Sequence, residues 1–259
     1  MELFVADLIE RFYTALWPFL RIGAMLIAVP VLSIDAVSVR IRVILTLALT
    51  LMIYPLVDWP TIDPVSAAGL AEIFNQILIG VLMGFFLQIV TAAVVLAGQA
   101  IANSMGLAMA TMVDPGVGTV PLMSQFLLIL GTLIFLGVGG HILMIGILLR
   151  SFETFPVGVA FISGANFTAL VEWSAMIFLG GMLMALPVLV ALLLVNVGVG
   201  VMTRAAPSLN IFAVGFPVFF LTGYAVLILS MAGIGARIQW LWMEGIERVK
   251  DFVLVPGVL

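Results

Sequence analysis

Cysteine is absent from the 259 residues, which excludes disulfides and thiolate metal sites. Histidine occurs once, at His141, so a His-rich metal centre and an H-E-x-x-H site are excluded too. Charge is scarce. Nine basic and 13 acidic side chains make up 8% of the chain, where a soluble domain carries about 25%. That is too little to cover a water-facing surface. Lys250 is the sole lysine and the formal charge is −4, so no nucleic-acid footprint exists. No G-x-x-x-x-G-K-[ST] occurs, which removes a P-loop ATPase carried by the chain itself. What replaces charge is apolar bulk, with 64% hydrophobic residues and a mean hydropathy of +1.37. Much of that surface must face lipid, other subunits, or both.

The ionisable residues delimit long neutral runs. Residues 73 to 113 contain 41 positions without a formal charge, 115 to 149 contain 35 interrupted only by His141, 173 to 203 contain 31, and 205 to 236 contain 32. Each exceeds the roughly 20 residues that cross a bilayer core. The chain reads as all-α and polytopic. Toward the N-terminus, residues 12 to 32 form an apolar run that holds Arg21, which lipid penalises unless it is paired or snorkels. Residues 43 to 57, after Arg40 and Arg42, form a second run that is short for a span. The opening MELFVADLIERF has no basic n-region and holds Glu2, Asp7 and Glu10, so it reads as part of the mature chain. Residues 58 to 72 contain Pro60, Pro64 and three acids, which predicts a loop with a helix start near Ser66.

The run after Glu72 is too long for one ordinary span: it is either two helices with a tight turn or one long helix. In a single helix Gln88, Gln99 and Asn103 fall within about 60° of one another and form one amide stripe. Such a stripe serves either ordinary interhelical hydrogen bonds or a wet channel. Gly80 and Gly84 form a G-x-x-x-G step permitting close helix contact, and Gly131, Gly137, Gly139, Gly140, Gly180, Gly181, Gly198 and Gly200 extend the expectation of dense packing.

Residues 104 to 123, SMGLAMATMVDPGVGTVPLM, are unusual. Asp114, Pro115 and Gly116 give a turn, Gly118 and Pro121 oppose an easy return to helix, and Gly106 precedes them. Yet the flanks are apolar and carry Met105, Met109, Met112 and Met123. Unbranched thioethers fill an irregular hole and repack when it opens. The segment is either a buried re-entrant loop or a constriction that stops water by dewetting. Further on, Pro187 predicts a bend and RAAPSLNIFAVGFP predicts a broken-helix joint. There Arg204 stands at a helix end, Pro207 suits a first helical position, Asn210 caps or cross-links, and Gly215-Phe216-Pro217 breaks the run. His141, in an apolar stretch, reads as a packing histidine. Asp114 has no second acid or nucleophile near it in sequence, so no catalytic residue, metal site or cofactor is expected.

Several segments together resemble one known family. They are RIGAMLIAVPVLS (21 to 33), RIRVILTLALTL (40 to 51), GVLMGFFLQIV after Glu72, AGQAIANSMGLAMATMVDP (97 to 115), FLGVGGH (135 to 141), SFETFPVG (151 to 158), and LPVLVALLLVNVGVGVMTRAAPSLNIFAVGFP (186 to 217). In these the chain resembles, over nearly its whole length, the FliR family of flagellar type III export-gate proteins. The resemblance implies a single domain over 1 to 259, with N-terminal helices over 1 to 65, a long hairpin over 66 to 165 and a C-terminal broken-helix hairpin over 166 to 259. It also implies helical hairpins within a right-handed helical assembly, seated largely above the plane of the bacterial inner membrane in the flagellar basal body. Partners implied are FliP and FliQ family subunits, an FlhB family protein, the basal-body ring and unfolded export substrates. Residues 105 to 123 are implied to be the pore plug. An injectisome gate of the same kind and a secondary transporter remain as alternatives; the second calls for paired hydropathy repeats, and no convincing pair is present.

Overall fold

Apolar runs of this length, free of strand-like alternation, satisfy their backbone groups most readily as helices. In the computed structural model every regular element is helical among the described residues, which are 2–31, 37–106, 122–159, 162, 164–205 and 211–254. The elements are α1 Glu2–Ala28, α2 Val39–Ile53 with a 3-10 turn Tyr54–Leu56, α3 Ala67–Ser104, α4 Leu122–Gly137, α5 Gly140–Thr154, α6 Gly164–Ser174, α7 Met176–Ala205 and α8 Ile211–Leu254. Among the described residues four stretches are long and apolar enough to cross a membrane: Val39–Leu56, Ala67–Ser104, Gly164–Ala205 and Pro217–Leu254. The pair Leu122–Gly137 and Gly140–Thr154 qualifies as one broken span. The run at 43 to 57 is therefore long enough once the turn of helix before it, which begins at Val39, is included.

The start of α3 falls where the sequence predicts. Ser66 Oγ accepts from the Gly69 N–H at 3.0 Å and donates to the Asp63 carbonyl at 2.7 Å, while Asp63 Oδ1 accepts from the Val65 N–H at 3.0 Å. These bonds satisfy a donor that the first turn leaves unpaired and fix the entry angle. The run after Glu72 is one helix, since α3 continues for 38 residues without a turn. It ends at Ser104, and two residues on Gly106 has a φ of 77°, a left-handed value that glycine adopts without a Cβ penalty, while its N–H donates to the Asn103 carbonyl at 3.1 Å.

The chain forms two compact units. The first comprises Met1–Ile89, Gly139–Ser174 and Glu244–Leu259; the second comprises Val90–Val138 and Ala175–Met243. In the first, α1 and α2 are antiparallel: Thr14 Oγ1 lies 2.8 Å from the Tyr54 hydroxyl, and Gly23 faces Thr46. By contrast α1 and α3 are parallel, because Arg21 bonds Gln76, Ala24 meets Gly80 and Ala28 meets Gly84. A Cβ on Gly84 would overlap the Ala28 Cβ and come 2.7 Å from its carbonyl carbon, so only glycine permits this approach. Trp173 Nε1 donates to the Phe86 carbonyl at 3.0 Å, tying α6 to α3. In the second unit Gly98 lets the backbone of Ser124 approach α3, and Ser124 Oγ donates to the Val95 carbonyl at 3.0 Å. There Trp242 Nε1 donates to the Gly131 carbonyl at 2.9 Å, with its ring 4.7 Å from that of Phe135.

Two expectations are corrected. Dense packing holds at Gly80, Gly84, Gly180 and Gly181, and a Cβ at Gly131 would sit in ordinary contact with Ile238, Trp242 and Val94, but a Cβ at Gly137, Gly139, Gly198 or Gly200 meets nothing within 4 Å. Gly139 answers to conformation instead, with φ of 72° at the N-cap of α5. Nor does Gly215-Phe216-Pro217 break a helix, because α8 runs from Ile211 through Pro217. Pro217 stands in the second turn, where its missing N–H removes one intrahelical bond and leaves the long remainder of the helix intact.

Candidate functional site

A cluster of buried polar side chains lies in the apolar interior of the first unit. Arg21, Glu72, Gln76, Asn75 and Ser151 are 0 to 5% exposed. Arg21 Nε donates to Gln76 Oε1 at 2.7 Å, and Gln76 Nε2 donates to Glu72 Oε1 at 2.5 Å. The amide of Gln76 thus stands between the two opposite charges with its dipole aligned to both. Arg21 Nη1 donates to the Ser151 carbonyl at 2.6 Å and its hydroxyl at 3.1 Å, while Nη2 donates to the Phe155 carbonyl at 2.7 Å. Those carbonyls lie at the C-terminal end of α5, where a cation is favoured by the helix dipole. The guanidinium also lies over the Phe152 ring, 4.2 Å from its centroid. Arg21 thereby fastens α1, α3 and the end of α5 to one another.

The need for a partner to Arg21 is legible in the sequence; the partner's identity is not. Glu72 served there only as a boundary of a neutral run. The usable signal was the i,i+3 and i,i+4 placement of Asn75 and Gln76 after it, which puts two amides on the carboxylate's face of the helix.

The predicted site residues fall in different surroundings. Gln88 and Asn103 are exposed and Gln99 is half-buried, on one continuous helix. Met105 is fully buried, its side chain seated against Gly223 of α8, where a Cβ would lie 2.5 to 3.0 Å from it. Gly106 is the cap of α3, and Met123, 6% exposed, is in the first turn of α4. Met109, Met112, Asp114, Pro115, Gly116 and Gly118 lie outside the described residues, as do Pro207 and Asn210. Arg204 is exposed in the last turn of α7, Gly215 is buried in α8, and Phe216 and Pro217 belong to that helix. His141 is exposed in the first turn of α5, two residues after the Gly139 turn, and not packed within the chain as expected of it. Among the described residues no group of three or more His, Asp or Glu could hold a metal ion.

A chain built of helices long and apolar enough to cross a bilayer, with a buried polar cluster joining three of its helices, is an integral membrane protein of the all-α class. Residues 12–245 match the family described as bacterial export proteins, family 1, and the chain belongs to it. It is 36% identical over 248 residues to flagellar biosynthetic protein FliR of Pectobacterium carotovorum subsp. carotovorum, covering 95% of each chain. To the protein of the same name from Escherichia coli (strain K12) it is 34% identical over 238 residues, 92% of this chain and 91% of that one. To that of Bacillus subtilis (strain 168) it is 27% identical over 257 residues, 97% and 99%. Family membership makes the chain a component of a bacterial export system and not an enzyme.

Proposed function

We propose that the chain is the pore-forming and gating subunit of a flagellar type III protein export gate, which passes unfolded flagellar proteins across the inner membrane. The observation that carries this reading is end-to-end likeness to flagellar biosynthetic proteins. In this reading the chain acts as one functional domain whose hairpins join FliP and FliQ family subunits and an FlhB family protein in a right-handed helical assembly within the basal-body ring. The assembly stands largely above the bilayer plane. The exposed amides Gln88 and Asn103 then face protein or a wet passage.

The gate works passively. Met105, Met109, Met112 and Met123, with the turn at Asp114, Pro115, Gly116 and Gly118, close the passage until a substrate displaces them, and the energy for transport comes from other components. Burial of Met105 and Met123 supports this, since it anchors both ends of the segment in the packed interior. Shortening Met109 and Met112 together to alanine is expected to leak small ions while assembly stays intact, because the removed thioethers leave a wettable gap. Conductance of the purified complex in a planar bilayer measures it, and unchanged conductance in an assembled double variant counts against a methionine seal. Arg204, at the negative end of the α7 dipole, is proposed to anchor the joint that includes Pro207 and Asn210. Arg204→Ala is expected to lower co-purification with the small subunits, and a normal yield of complex removes that role.

A further inference from the structure

A glycine that leaves no room for a Cβ marks a close contact, and the neighbouring atoms decide whether that contact can move. Among the described glycines, Gly69, Gly80, Gly84 and Gly98 have backbone atoms closer than 3.0 Å to the place a Cβ would take, so each marks a joint that cannot give. Gly223 is different. Its three nearest atoms all belong to one side chain, with Met105 Cγ at 2.5 Å, Cε at 2.9 Å and Sδ at 3.0 Å. A thioether occupies the volume that a methyl group on α8 would fill. Gly158 also meets a side chain alone within 3.0 Å, that of Ile62, but its φ of 79° calls for glycine on its own account. Gly223 lies inside a continuous helix, where glycine is a poor former, so what it provides is the empty volume. It is buried, on the same stripe of α8 as Leu227 four residues on, which is 4% exposed.

Met105 is the first residue beyond α3. It is 0% exposed, and its N–H still donates to the Ile101 carbonyl at 3.0 Å, one residue before the left-handed turn at Gly106. The slot on α8 therefore holds the last turn of α3 at the point where the methionine-bearing sequence begins. Three rotatable bonds let a methionine leave such a slot with neither helix backbone moving. Where backbone meets backbone, as at Gly84 and Ala28, no such withdrawal exists. The contact is built to be made and unmade.

We infer that Gly223 is the seat of a latch, taking the Met105 thioether in the closed gate and holding the end of α3 against α8 until that side chain withdraws. This rests on the gate reading and adds to it the element that keeps the gate shut. Gly223 is a positioning residue, acting through Met105.

The test uses the chain purified with the subunits that accompany it. Gly223→Ala puts a methyl group in the slot and should raise conductance in a planar bilayer severalfold by expelling Met105. Met105→Ala empties the slot without adding an atom and should also leak. The double variant should leak less than either, because the new methyl occupies the volume that the shortened side chain vacates. A fault in α8 folding or in assembly would not be reversed by shortening residue 105. Because the chain has no cysteine, Met105→Cys supplies a unique thiol, expected to resist a water-soluble maleimide in the assembled complex and to react severalfold faster when Gly223→Ala is added. A thiol that stays protected there, or a double variant that leaks as much as Gly223→Ala, overturns the seat. A reactive thiol with wild-type conductance in Gly223→Ala, while the Met109 and Met112 double variant leaks, overturns the latch and leaves the gate reading standing. Leakage in Gly223→Ala with none in that double variant upholds the latch and removes the methionine seal. Should Gly223→Ala fail to assemble, Met105→Ala decides, and wild-type conductance there overturns the latch.

Discussion

Arg21→Ala is expected to prevent recovery of a stably folded chain. The substitution removes donors to Gln76 Oε1, the Ser151 carbonyl and hydroxyl, and the Phe155 carbonyl, and it leaves the Glu72 carboxylate 1% exposed without its opposite charge. Removing one partner of a direct buried ion pair costs about 3–5 kcal/mol, and here, where the Gln76 amide relays between the two charges, that figure is an upper reference; even part of it is a large share of the roughly 5–15 kcal/mol that holds a domain together. Arg21→Lys should recover only part of this, since an ammonium cannot reach Gln76 and two carbonyls in one planar fork. Removing both charges, as Arg21→Leu with Glu72→Leu, should be milder than either single change, because no buried charge is then left unmatched. Thermal unfolding of the detergent-solubilised variants supplies the comparison. Wild-type stability in Arg21→Ala would mean that the cluster tolerates solvent or rearranges, and the clamp would be dismissed.

How far the sequence reveals this architecture depends on what each signal responds to. Neutral runs respond to burial alone, so they located the spans, and Ser66 with Asp63 marked the start of α3 through a local hydrogen-bond pattern. Pro217 and the distributed glycines misled for one shared reason. Each residue's effect depends on where it falls relative to helix ends and neighbouring helices, which composition does not carry: Pro217 is absorbed in a second turn, whereas Gly198 and Gly200 face open space. The Arg21 cluster required knowledge that residues 21, 76 and 151 meet, a long-range fact with no local signature. Of the proposed gate, the methionine-rich composition of 105 to 123 is local and legible, while its function is carried by likeness to the flagellar proteins.

Gly84→Val is expected to separate α1 from α3 and to carry the Arg21 cluster with it. The new Cβ would already collide with the Ala28 Cβ, carbonyl carbon and Cα, and the two methyls of valine find no rotamer that avoids a backbone which cannot yield as a flexible side chain would. Overpacking of this kind costs about 1–3 kcal/mol and more when backbone must move. One turn earlier Gly80 lies against the Arg21 carbonyl, Ala24 and Met25, so displacing α1 at Ala28 levers the guanidinium away from Gln76. The loss should approach that of Arg21→Ala, and combining the two changes should cost less than their sum because both break one joint. Gly198→Ala and Gly200→Ala serve as controls: with nothing within 4 Å of the added methyl, each should leave the chain's own stability unchanged or raise it by up to about 1 kcal/mol from helix propensity. Unfolding midpoints of the four single variants and the double variant decide the matter. Should Gly84→Val melt with the wild type, the close parallel packing of α1 on α3 is not what holds the first unit together.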